Sequence, residues 1–177
     1  PQDFDDELIE VHATNPKICN HIHFPLQAGS DEVLDRMNRT YTKQHFLDLA
    51  QKMRDNIPGL ALSTDMIVGF PGETEADFLE TLDVMEQVKF DTAFTFKYSS
   101  RPGTKAAEFE DTVAEDDKQD RLQRMITMQR EHTLLRNREH IGERVEVLVE
   151  KNSKKSENQH QGRTRSNKIV IFDKAGE

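Results

Sequence analysis

The run LALSTDMIVGFPGET, from Leu60 to Thr74, constrains the fold more than any other part of this chain. Leu60 to Phe70 is short, dense in apolar residues, β-branched near its end and closed by Pro71-Gly72. A strand buried on both faces reads this way, and such strands belong to parallel sheets covered by helices. The turn leads into Thr74-Glu75-Ala76-Asp77, a capping-box pattern with Asp in place of the usual Glu or Gln. The segment therefore predicts a strand, a tight glycine turn and a helix, which is one half of a βα repeat.

The rest of the first 140 residues follows the same rhythm. Asp5 to Ala13 reads as a short helix ended before Asn15-Pro16, and His21 to Leu26 alternates as a strand. Ser30 caps a short helix with Asp31 and Glu32 in its first turn, where the helix dipole favours acids. Thr42 opens another, with Phe46, Leu49, Ala50, Met53 and Ile57 at helical spacing until Pro58-Gly59 stops it. The helix after Thr74 buries Phe78, Leu82, Met85 and Val88. Phe94, Phe96 and Tyr98 alternate with Thr95 and Lys97 as a third strand. Glu115 to about His140 forms a long helix with Leu122, Met125, Ile126, Met128 and Leu135 inward and its Arg- and Glu-rich remainder solvated. Repeated βα units imply a parallel sheet. Three strands are too few for a closed eight-stranded barrel. The first strands are expected upstream of Pro1, which is not a methionine.

After Gly142 the texture changes. Arg144 to Glu150 alternates Val145, Val147 and Val149, Lys151 to Gln161 is a polar connection, and Arg163 to Phe172 is a second β-like run. The expected fold is thus α/β: a partial (β/α) barrel over residues 1–140 and an incomplete all-β unit over 141–177. Charge divides at the same place. From Ile141 onward there are eight Lys/Arg against six Asp/Glu, so +2, whereas the earlier part holds sixteen against twenty-seven, so −11. A net charge of −9 argues against the whole chain as a nucleic-acid binder, but not against its last unit. No stretch approaches the roughly 20 apolar residues of a membrane helix. A single cysteine, Cys19, excludes a disulfide framework within the chain and suits a reducing cytoplasm.

In parallel α/β folds, ligands sit beyond the carboxyl ends of strands. That places candidate binding groups at Thr64, Asp65, Gly69, Gly72 and Glu73, with the glycines allowing close backbone approach to a ligand. The missing Gly-Lys-Ser/Thr excludes a phosphate P-loop. HIHFPLQAGS, from His21 to Ser30, repeats the strand–glycine–helix pattern and sets Gln27 at the ligand-facing end. His21 and His23 share a face. With Cys19 they offer at most an incomplete metal set, so barrel-lining polar residues are the simpler reading. His23 and Asp65 also suit acid–base work if they converge. Arg101, in the turn-rich loop Tyr98 to Thr104, is suited to a phosphate or carboxylate.

Four extended motifs in register carry a resemblance. They are His23-x-Pro25-x-Gln27-x-Gly29-Ser30, Met37-x-Arg39-x-Tyr41-Thr42, Thr64-Asp65-x-Ile67-Val68-Gly69-Phe70-Pro71-Gly72-Glu73-Thr74, and Tyr98-Ser99-x-Arg101-x-Gly103-Thr104. In this order they resemble the radical S-adenosylmethionine (SAM) methylthiotransferases, and the part after Ile141, with Gly162-Arg163-Thr164, resembles the start of a TRAM domain. Ala28-Gly29-Ser30 and Arg101-Pro102-Gly103 look more like the tRNA branch than the ribosomal-protein branch. Within the tRNA branch the likeness is greatest to enzymes acting on dimethylallyladenosine, with those acting on threonylcarbamoyladenosine the nearest competitor.

The resemblance implies a radical SAM barrel followed by a TRAM unit. It implies SAM and two [4Fe–4S] clusters in the parent protein, held by cysteines outside this chain, so that this chain alone is expected to be inactive. Sulfur insertion and methylation would occur at C2 of an isopentenylated adenosine next to the anticodon. Carried onto these positions, Gln27, Arg39, Thr64, Asp65, Ile67, Val68, Gly69 and Glu73 would line the SAM site, with Glu73 supporting the loop. Arg101, Lys151, Lys154, Lys155, Arg163, Arg165 and Lys168 would meet RNA phosphates. The implied partners are the tRNA anticodon stem-loop and an electron donor, and the uncovered parallel edge of the barrel, an association hazard, suggests a second copy there. A non-catalytic RNA-binding α/β module is the rival reading.

Overall fold

The computed structural model describes residues 4–174 and contains two sheets. The first is parallel, with strand order β1 (His21–His23), β2 (Ala61–Val68), β3 (Thr92–Lys97). The helices between and around these strands are α1 (Asp6–Thr14), α2 (Asp31–Arg36), α3 (Lys43–Asn56), α4 (Glu75–Val88) and α5 (Glu115–Arg138). This is the βα order that the hydrophobic spacing predicts. One face of the sheet packs with the helices into a core, in which Phe46, Met53, Leu62, Met66, Phe78, Met85, Phe90 and Met125 are fully buried.

The helix starts behave as their sequences predict. Asp5, Ser30 and Thr42 each accept a hydrogen bond from the amide three residues on. Thr74 and Asp77 form the reciprocal capping box. Asp77 does more than cap. Its second oxygen accepts from the Ser30 hydroxyl at 2.5 Å, tying the start of α2 to the start of α4. Burial pushes the Asp77 carboxyl up, but the hydrogen bonds from Ser30 and Thr74 outweigh it and hold this acid below its usual range.

Four local expectations are corrected. First, β1 ends at His23 rather than Leu26. Pro25 has no amide to give, and Gln27 turns left-handed with φ 71°, keeping only an isolated bridge to Met66. Second, β3 ends at Lys97, leaving Tyr98 in the loop beyond it. Third, Leu135 is 43% exposed, while α5 turns Lys118, Arg121, Gln129 and His132 inward beside Met125. These polar side chains are buried because each has a partner: Asp111, Glu73, the Phe90 carbonyl and Glu86 respectively. Fourth, the run from Arg163 to Phe172 is two strands, not one.

The second sheet is antiparallel, in the order β4 (Val147–Asn152), β5 (Gln159–Thr164), β6 (Ile169–Asp173). Asn167, with φ 61°, turns the chain between β5 and β6. Much of the expected polar connection is therefore strand: its start completes β4 and its end opens β5.

Candidate functional site

The pleat of β2 separates two environments. Leu62, Thr64, Met66 and Val68 point into the helix layer, each fully buried. Ser63, Asp65 and Ile67 point to the opposite face, beside His21 and His23 of β1 and Phe94 and Phe96 of β3. Both phenylalanines are 52% exposed, so this face has an apolar floor open to ligand or chain. It is the face that the alternation of β1 and β2 assigns to the barrel interior.

On it the polar groups form one line. His21 Nε2 lies 2.9 Å from Ser63 Oγ, His23 Nδ1 lies 3.0 Å from the same oxygen, and His23 Nε2 lies 3.2 Å from Asp65 Oδ2. The Phe94 ring meets His23 edge to face at 6.2 Å. Burial, then the neighbouring His23, pushes the His21 imidazole down. The structure thus brings His23 and Asp65 together. It does not assemble a metal set around the histidines: both are turned onto Ser63, Cys19 is exposed, and no group of three or more such ligands occurs among the described residues.

The loop after β2 is held from within the protein. Glu73 is buried and accepts from the Gly69 amide at 2.7 Å and from the Arg121 guanidinium at 2.8 Å. Gly69 has φ 72° and Gly72 φ 82°, a region that favours glycine. The close approach they permit is to protein rather than to a ligand. A Cβ at Gly69 would fall 2.3 Å from the Lys118 side chain, and one at Gly72 would fall 1.9 Å from Arg36.

The residues that the resemblance assigns to SAM therefore separate. Asp65 and Ile67 line the open face. Gln27 is a buried residue held at the end of β1 by backbone bonds to Asp65 and Ile67 of β2. Arg39 is exposed after α2. Thr64 and Val68 face the helices instead: the Thr64 hydroxyl accepts from the Leu26 amide at 2.9 Å, which anchors the Gln27 loop. Glu73 is occupied by Arg121, so loop support is its role here.

The RNA candidates separate too. Arg101, Lys151, Lys154 and Lys155 are exposed and free of ion pairs among the described residues. Arg163 pairs with Glu150 at 3.3 Å. Arg165 donates to the Pro16 and Ile18 carbonyls at 2.7 Å each, and Lys168 reaches Asp91 at 2.6 Å and Asn137 at 3.2 Å. These two cations hold the β5–β6 hairpin against the first unit. Sequence reading missed this, and missed Ser63, Arg121 and Lys118, because no local pattern shows which distant group a polar residue meets.

An adenosyl ligand needs an acceptor for its hydroxyl or amino hydrogens and apolar surface for its base. Asp65 Oδ1 has no partner among the described residues, and Ile67, Phe94 and Phe96 supply the apolar surface. This acceptor and surface fit such a ligand.

Comparison with known proteins agrees. Residues 1–85 match the family model described as Radical SAM superfamily, and residues 138–177 match that of the TRAM domain. A protein from Thermoanaerobacter sp. (strain X514) named tRNA-2-methylthio-N(6)-dimethylallyladenosine synthase is 51% identical over 172 residues, which is 97% of this chain and 36% of that protein. Proteins of the same name from Moorella thermoacetica (97% of this chain, 39% of that protein) and Desulforamulus reducens (99% and 38%) are each 48% identical. The chain spans between a third and two fifths of the length of these curated relatives. With both domain matches and identity of about half over 97% of its length to part of these proteins, the chain belongs to the radical SAM methylthiotransferase family.

Proposed function

We propose that this chain is the substrate-facing later part of a tRNA methylthiotransferase acting at C2 of an isopentenylated adenosine next to the anticodon. The observation that carries the reading is identity of about half over 97% of the chain to synthases of that name. A [4Fe–4S] cluster with SAM would supply the radical chemistry of the parent, and a second cluster would belong to the same protein. One cysteine cannot hold such a cluster, which usually takes several thiolates, so both sets of ligands lie outside these 177 residues.

In this reading Asp65 accepts hydrogens from SAM, Ile67 bounds its base, and Gln27 borders the same mouth. Arg39 and Arg101, both exposed, would hold a carboxylate or phosphate. Residues 1–140 form the barrel part and 141–177 the TRAM part. In the latter, Lys151, Lys154 and Lys155 meet backbone phosphates of the anticodon stem-loop, while Arg165 and Lys168 fix the unit's position. An electron donor, a cytoplasmic setting and a second copy against the β3 edge complete the proposal. No helix among the described residues is long and apolar enough to cross a membrane.

The test is nucleoside analysis of tRNA from a strain lacking its own methylthiotransferases and expressing the parent open reading frame. The expected product is the 2-methylthio derivative of isopentenyladenosine. Methylthiolation of threonylcarbamoyladenosine instead would move the chain to the sister branch. No methylthiolated nucleoside would overturn the reading in favour of an RNA-binding module.

A further inference from the structure

The line Asp65–His23–Ser63–His21 has a direction. A carboxylate only accepts, so it sets the proton of a singly protonated His23 on Nε2. His23 Nδ1 then carries a lone pair and accepts from the Ser63 hydroxyl. Ser63 Oγ, its one hydrogen committed to His23, accepts from His21 Nε2. Each donor finds one acceptor, and the tautomers of both rings follow from the carboxylate. Ser63 is 3% exposed and Asp65 is half-buried, so water does not compete for the central link. The packing of Phe94 against His23 restrains the ring that bonds Asp65. Of the two Asp65 oxygens, Oδ2 is used by His23, and Oδ1 has no partner among the described residues on a side chain that is 33% exposed.

We infer that Ser63 and His23 are positioning residues for Asp65: by fixing the imidazole through the His21–Ser63 link they hold Asp65 Oδ2 and so aim Oδ1 at the adenosyl ligand. This rests on the proposed SAM site and adds to it the residues that orient its acceptor. A carboxylate without such a link rotates about two side-chain bonds and loses its preorganisation.

The test is a double-mutant cycle on the parent enzyme with both clusters reconstituted, read by the equilibrium affinity for SAM. Asp65→Ala weakens binding about tenfold, the scale of one hydrogen bond to a charged group. Ser63→Ala weakens it several-fold, Ser63→Thr, which keeps the hydroxyl, restores most of the loss, and Ser63→Ala adds nothing in the Asp65→Ala background. A purely structural role for Ser63 would give the same loss in both backgrounds. Should Ser63→Ala lower the melting temperature, His23→Phe serves in its place, since the His23 side chain is 40% exposed and the ring volume is kept. Additive losses, or a loss from Asp65→Ala alone, overturn the positioning role and leave the SAM site standing. An unchanged affinity in Asp65→Ala removes the acceptor itself, and the positioning role with it.

Discussion

Arg121→Met is expected to cost about 3–5 kcal/mol of folding stability, the range for breaking a buried ion pair from one side. In a domain of this size that lowers the melting temperature by roughly ten degrees. The reason is Glu73. Its side chain is 1% exposed and that of Arg121 is 7% exposed, with the two 2.8 Å apart. Arg121 also donates to the Glu73 carbonyl at 3.1 Å and pairs with Glu75 at 3.3 Å, so α5 is riveted to the loop after β2 through one side chain. Burial pushes the Glu73 carboxyl up even in the intact protein, against the pull of the Gly69 amide and Arg121. Without Arg121 it rises further. A carboxyl raised by folding binds its proton more tightly in the native state, so the native state loses stability as pH climbs from the unfolded value through the raised one. The deficit of Arg121→Met should therefore be larger at pH 7 than at pH 4.5. Urea unfolding at the two pH values measures it, and equal deficits would show that Glu73 is not the buried charge that matters.

Gly29→Ala is the second large effect, and its cause is steric. A Cβ at Gly29 would sit 2.5 Å from Thr81 Cα, 2.7 Å from the Glu80 carbonyl oxygen and 2.8 Å from the Thr81 nitrogen. All three are backbone atoms of α4, so no side chain can swing away. The Gly29 amide also donates to the Thr81 hydroxyl at 2.8 Å, and the neighbouring Ser30–Asp77 bond depends on the same approach. Overpacking of this kind costs about 1–3 kcal/mol, and a helix that must shift bodily lies at the upper end. Gly103→Ala is the control. Its φ of 83° is left-handed, as that of Gly29 is not, but nothing lies within 4 Å of a Cβ there, so only backbone strain applies. Thermal melts should rank Gly29→Ala well below Gly103→Ala. The reverse order would mean that α2 and α4 do not meet as described.

These two residues show where sequence reading stops. The helices and strands were legible because their signals are local: caps at Ser30, Thr42 and Thr74, and apolar spacing at Phe46, Leu49 and Met53. The open face was half legible. Alternation puts His21 and His23 on one side and Ser63 and Asp65 on one side, but the register that sets His23 beside Ser63 is a property of the β1–β2 pairing. The inward polar stripe of α5 was read as solvated because Lys, Arg and Gln usually are. Its partners lie as much as 48 residues away, and no spacing rule reaches them. For the same reason Arg165 and Lys168 read as free cations, while the structure spends both on holding two units together. The glycines of the loop after β2 are expected from sequence to let a ligand approach, whereas the groups that stand against them are the Lys118 and Arg36 side chains.

The central claim is that this chain supplies position while the radical chemistry needs thiolates it does not carry. The most direct measurement is 5′-deoxyadenosine formed from SAM under a strong reductant, after reconstitution with iron and sulfide, for the parent protein and for these 177 residues side by side. The account predicts 5′-deoxyadenosine from the parent and none from the 177 residues. Formation by the 177 residues alone, or by neither protein, would contradict it.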